Sequence, residues 1–144
     1  MAKHLNATGH FGLLMLRIGL GIMFIFHGFP KLIGGPEKWR MLGSVLHDFS
    51  IDFMPVVWGF MAGFAETIGG VLVIIGFWFR PATLMLFITM FVATYSHIKG
   101  GDSFIIYSHA LEMAIVFFAL TFSGPGRYAL DNEDEPQITE QKKL

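Results

Sequence analysis

The stretch LLMLRIGLGIMFIFHGFPK, residues 13–31, is apolar except at three places. Arg17 stands near its start, His27 near its end, and Lys31 closes it. Crossing a bilayer takes roughly 20 mostly apolar residues in a helix. A charged side chain at mid-bilayer costs about 2.5–3.5 kcal/mol on insertion scales. An arginine inside such a run therefore needs a partner.

Comparable apolar runs recur along the chain. Spans are expected at 11–29, 53–79, 81–98 and 104–123. They predict an all-α protein, a four-helix transmembrane bundle. Pro81 follows Arg80 and suits a helix start, so spans two and three should turn tightly at Phe79-Arg80-Pro81. Gly100, Gly101 and Asp102 separate spans three and four, and Gly124-Pro125-Gly126 stops the fourth. Between spans one and two, Trp39, Leu42, Leu46 and Phe49 recur at steps of 3, 4 and 3, with Lys38, Arg40, Ser44 and Asp48 largely off that face. This spacing predicts a short amphipathic helix at the bilayer surface over 36–49; the alternative is an ordinary connecting loop.

Composition points the same way. The residues AVILMFWYC make up 53% of 144 positions, with 17 glycines in addition. Soluble domains average roughly 45–50% with glycine counted. A net charge of −1 gives no sign of nucleic-acid binding. The absence of cysteine excludes disulfides, thiolate metal sites and thiol redox chemistry. Residues 1–131 read as one membrane domain and 132–144 as a polar, flexible tail. No window resembles a removable signal peptide. One side of the membrane would carry Lys3, Arg80, Arg127, Lys142 and Lys143, the other Lys31, Lys38, Arg40 and Lys99. That excess leans towards both termini being cytoplasmic.

Arg17 lies on a stripe with Gly21, Phe24, Gly28 and Lys31, at steps of 4, 3, 4 and 3. The second span repeats the pattern in Gly59, Gly63, Glu66, Gly70 and Val73. Small residues let membrane helices approach closely. If the two stripes face each other with their centres level, Arg17 falls beside Glu66. Left facing lipid, Arg17, Glu66 and Glu112 would together cost on the order of 8–10 kcal/mol, comparable with the whole stability of a small domain, roughly 5–15 kcal/mol. They are therefore expected inside the bundle. An ion pair that merely fixes helix register is the bland alternative.

Alternating helix directions bring His27, Lys31, His97, Tyr107 and His109 towards one membrane face, with Glu112 slightly deeper. Such graded ionisable groups mark substrate paths or proton relays. Glu66, Glu112 and His109 are the candidate catalytic groups. Arg17, His27, Lys31, His97, Phe24 and Trp58 are candidates for binding substrate, with Phe64 as a further wall. Three histidines and two glutamates match metal ligands in type, and ligand count alone allows a bis-histidine haem; no HExxH or Glu-x-x-His motif is present, His109-x-x-Glu112 has that spacing in reverse order, and spacing this unspecific disfavours both haem and metal.

Residues 11–131 resemble the DoxX family of small four-helix membrane proteins. The resemblance is carried by LRIGLGIMFIFHGFPK, GFAETIGGVLVIIGFWFRPAT and SHALEMAIVFFALTFSGPGRYALD. It implies a membrane oxidoreductase subunit related to the membrane subunit of thiosulfate:quinone oxidoreductase. Arg17, His27, Gly28, Lys31, Glu66, Arg80, Glu112 and Arg127 would be its marked positions. Two functions follow. One is a quinone-binding subunit in the cell membrane that works with a soluble redox partner. The other is a non-catalytic scaffold or small-molecule carrier. A homo-oligomer is compatible with both.

Overall fold

The computed structural model describes residues 6–131. The tail expected at 132–144 lies outside the described residues. The chain forms α1 (Ala7–Leu32), α2 (Gly35–Gly43), a 3-10 helix (Ser44–Phe49), α3 (Pro55–Ile75), α4 (Phe79–Lys99) and α5 (Phe104–Ser123). Four of these, α1, α3, α4 and α5, are long and apolar enough to cross a membrane.

Sequence explains where the helices begin and end. The Asn6 side chain accepts from Gly9 N at 2.9 Å and caps α1. Gly76, at φ 67°, ends α3 in the left-handed region where a side chain would be strained. The turn into α4 therefore occupies residues 76–78, earlier than the expected Phe79-Arg80-Pro81. The surface segment is also not one helix over 36–49. It tightens to 3-10 geometry at Ser44 and stops at Ser50 in αL conformation.

The interior inverts the pattern of a water-soluble protein. Phe26, Phe122 and Ile105 are 70% or more exposed, whereas Arg17, Glu66 and Thr83 are almost fully buried. Large apolar side chains meet lipid, and glycines and hydroxyls meet helix. The α1–α3 seam is built on glycines: a Cβ on Gly21 would lie 2.5 Å from Gly70 O, and one on Gly28 would lie 2.6 Å from Thr67 N. The two stripes read from the sequence do face each other. Helices α4 and α5 pair through Leu86, Phe117 and Leu120 and through a Thr121–Thr83 hydroxyl bond of 3.0 Å.

The surface segment crosses one end of the bundle. A Cβ on Gly43 would meet Pro55 O, and one on Gly59 would meet Trp39 O. Trp39 packs edge-on against Phe60, Phe49 contacts Tyr95, and Asp48 pairs with Lys99 at 3.1 Å. Both ends of the Trp39–Phe49 stripe thus rest on membrane helices. Helix α5 stands apart. Among the described residues its Cα atoms nowhere come within 8 Å of α1. Only side chains bridge the gap, with Phe24 edge-on to Phe117 at 4.7 Å.

Candidate functional site

Arg17 answers the question raised by its own helix, and Glu66 is not its partner. Its Nε donates to Val73 O at 2.9 Å and Nη2 to Ile74 O at 2.7 Å. Nη1 donates to Pro125 O at 3.0 Å and to Tyr128 O at 3.1 Å. The last carbonyls of a helix have no intrahelical donor and carry partial negative charge. Arg17 supplies both the donors and the charge, and its Cζ sits 5.8 Å from the Phe79 ring centroid. The segment after α5 is held in place by the same group. Leu130 N donates to Ile75 O, Asp131 N donates to Gly76 O, and the Asp131 carboxylate accepts from Phe79 N at the start of α4.

The expected register was in error by about two helical turns. Level centres set Arg17 against Glu66, but Arg17 meets residues 73–74, and Gly28 meets Glu66 and Thr67. The reason is steric. Helix α2 packs beside the first turns of α3, where Gly43 and Gly59 admit it. Helix α1 consequently ends level with Gly63 and is displaced along α3, away from its N-terminus.

Glu66 is 2% exposed and accepts from Lys31 Nζ with both oxygens, at 2.6 and 2.8 Å. Lys31 reaches in from the edge, its side chain 31% exposed. Two groups of the surface segment satisfy the end of α1: Trp39 Nε1 donates to Lys31 O and Lys38 Nζ to Pro30 O. The sequence placed Lys31 and Glu66 on facing stripes but did not pair them.

The remaining candidates separate. Phe24 is core. Trp58, in the first turn of α3, donates to Phe53 O in the segment before that helix. Phe64 is partly lipid-facing, and His97 Nδ1 lies 2.7 Å from Asp102 at the end of α4. Arg80 and Arg127 are exposed at the other end of the bundle, where a cleft of about 270 Å³ opens between Trp78, Pro81, Pro125 and Asp131. His109 and Glu112 are exposed and do not form the inner wall expected of them. Outward orientation follows from the inward face of α5 being taken by Ala114, Phe117 and Leu120.

Two of the candidates come together. His27 on α1 and His109 on α5 face each other across the gap between those helices, ring centroids 6.1 Å apart. Glu112 stands one turn beyond His109 on α5, with its Cβ about 5–6 Å away by helix geometry. None of the three has a hydrogen bond or ion pair among the described residues. Deeper in the bundle Phe24 and Phe117 meet edge-on, and Leu20, Met113 and Val116 pack against the same apolar cluster. The α1–α5 gap, bridged by side chains alone, thus has polar groups towards one end and apolar ones towards the other. Among the described residues no three His, Asp or Glu side chains are grouped to hold a metal ion.

A family profile, DoxX, matches residues 12–98, more than half of the chain. The chain belongs to the DoxX family. Curated relatives span nearly its whole length. The inner membrane protein YphA of Escherichia coli is 31% identical over 127 residues, covering 83% of this chain and 87% of its own. An uncharacterized protein of Haemophilus influenzae is 32% identical, with 84% and 89% covered. The uncharacterized membrane protein Rv3486 of Mycobacterium tuberculosis is 27% identical, with 94% and 88% covered. No solved structure matches the chain. With its four apolar spans, this DoxX protein is a multi-pass membrane protein. The DoxX match includes Arg17, Lys31 and Glu66 and stops at Ile98, ahead of α5.

Proposed function

We propose that this DoxX protein is a membrane subunit of an oxidoreductase that receives a quinone, or a similarly flat polar-headed molecule, from the lipid side between α1 and α5. The carrying observation is the approach of His27 to His109 at 6.1 Å, with Glu112 one turn along α5 and no hydrogen bond or ion pair to it among the described residues. Apolar slots with a few convergent polar groups are the usual form of small-molecule sites. A bound quinone would supply two-electron, two-proton chemistry. His27 and His109 would orient its carbonyl oxygens by ring N–H donation, and Glu112 would hold a proton within reach. Electrons would come from a soluble partner. Residence in an inner membrane, as for the inner membrane protein YphA, and cytoplasmic termini complete the proposal.

This narrows the set of working residues. Arg17 and the Lys31–Glu66 pair would hold the scaffold that positions the α1–α5 gap. Their closed hydrogen bonding favours the second reading, a non-catalytic scaffold, for the α1–α3 half of the molecule.

Titration of purified protein in lipid with a short-chain quinone analogue tests the proposal. Glu112→Gln and His109→Ala should each weaken binding at least tenfold, and Arg127→Ala should leave it unchanged. Equal binding by all three variants, or none by the unaltered protein, would leave the scaffold as the better account.

A further inference from the structure

Helices α3 and α4 are each 21 residues long, about 31 Å by the rise of a helix. A hydrocarbon core is about 30 Å thick. The turn that joins them, residues 76–78, therefore sits at headgroup level. The cleft of about 270 Å³ opens there, against the segment after α5. Its walls are mainly apolar, from Trp78, Phe79, Pro81 and Pro125, and its charged groups are Arg80 and Asp131. Trp78 and Tyr128 are exposed at this end, as aromatic side chains are at a membrane–water boundary. Trp78 is held at φ 46°, a conformation costly for a bulky residue. Backbone bonds fix it there: Phe79 N donates to the Asp131 carboxylate and Ala82 N to Trp78 O.

We propose that this cleft binds an anionic phospholipid, with its phosphate on the Arg80 guanidinium and one acyl chain along α4. Two observations choose this occupant. The first is continuity with the lipid-facing surface. Pro81, Leu84, Ile88, Phe91 and Tyr95 are exposed at steps of 3, 4, 3 and 4, a single stripe that leads from the cleft wall into the hydrocarbon region. An acyl chain covers such a stripe, and a water-soluble ligand does not. The second is charge. Arg80 and Arg127 are exposed at this end. Arg17 stands behind the cleft wall, bonded to Pro125 O and 5.8 Å from the Phe79 ring centroid. Among the described residues Asp131 is the one carboxylate set against these three guanidinium groups, and it already accepts from Phe79 N. A phosphodiester supplies negative charge where it is lacking, and basic pockets beside membrane helices hold such headgroups. Arginine carries five donors, so a phosphate can add to the contacts Arg80 already makes. A zwitterionic lipid would bring a cation back to the same place. The inference is independent of the α1–α5 gap, which lies nearer the opposite end.

Full-length protein in a neutral detergent would be titrated with dioleoyl phosphatidylglycerol and, separately, with dioleoyl phosphatidylcholine, and the bound lipid counted by native mass spectrometry. The anionic lipid should bind about tenfold more tightly, the order that two arginines near a lipid surface supply. Arg80→Gln should abolish the preference, and Arg80→Lys should keep part of it, since the charge remains but the paired donors are lost. Arg40→Gln, exposed at the opposite end of the bundle, should leave the preference unchanged. Inorganic phosphate should not displace the lipid, because it has no chain to cover the α4 stripe. Equal affinity for the two lipids, or a preference that survives Arg80→Gln or is lost equally in Arg40→Gln, overturns the site. Displacement by inorganic phosphate overturns the lipid as its occupant.

Discussion

The α1–α3 seam and the α1–α5 gap are both lined by ionisable groups, and they treat them in opposite ways. In the seam, Arg17 satisfies four carbonyls and Lys31 holds both oxygens of Glu66. Glycines bring the backbones together, and no buried polar side-chain atom among the described residues lacks a partner. In the gap, His27, His109 and Glu112 are exposed and have no such bonds among the described residues. Burial and bonding thus divide the ionisable groups of this bundle into two sets. Groups whose bonding capacity is spent hold the fold; under the proposed function, the groups whose capacity remains would act.

The strongest way to break this comparison is at Arg17. Arg17→Leu leaves four carbonyls without donors, each worth about 1–3 kcal/mol when orphaned. Stability in detergent should fall by about 4 kcal/mol or more, read as a large drop in unfolding midpoint. Arg17→Lys should recover only part, since three donors on one nitrogen cannot span four carbonyls set around a planar fork. Native stability in Arg17→Leu would place this residue outside the structural class.

The Lys31–Glu66 pair should be asymmetric. Lys31→Met strands a carboxylate that is 2% exposed and should cost about 3–5 kcal/mol. Glu66→Gln leaves a lysine that is already partly exposed and can turn outward, so its loss should be smaller. A double-mutant cycle should show coupling between Lys31 and Glu66, and additivity within about 0.5 kcal/mol between Arg17 and Glu66.

Glycine substitutions sharpen the contrast at smaller cost. Gly28→Ala forces a Cβ to 2.6 Å from the Thr67 backbone nitrogen and should destabilise by about 1–3 kcal/mol. Gly19, on the same helix with open space around it, should accept alanine without loss. A matched pair of thermal melts checks both. The smallest stability effects belong to the gap: His109→Ala and Glu112→Gln should shift stability by no more than about 0.5 kcal/mol, while ligand titration carries their effect. A large stability loss in either would assign them to the fold.

Much of the architecture was legible from period and composition. Four apolar runs, the stops at Gly100–Gly101 and Gly124-Pro125-Gly126, and the stripes from Arg17 to Lys31 and from Gly59 to Val73 are local patterns. A helix turns them into faces with no outside help. The same patterns implied that Arg17 and Glu66 could not face lipid. Partners were not legible. Those of Arg17 are backbone carbonyls, which carry no residue-type signature, and two of them lie in the segment after α5.

By itself, then, the sequence determined the inward faces of α1 and α3 and the need to satisfy Arg17 and Glu66, because helical period and the cost of charge in hydrocarbon act residue by residue. Tertiary structure decided which charge meets which group. Helix α2 packs at Gly43 and Gly59 and thereby slides α1 two turns along α3, so Lys31 rather than Arg17 reaches Glu66. It also decided that His109 and Glu112 point outward, because Ala114, Phe117 and Leu120 already occupy the inward face of α5. Both outcomes depend on how separate helices compete for the same space, and no spacing along one helix records that competition.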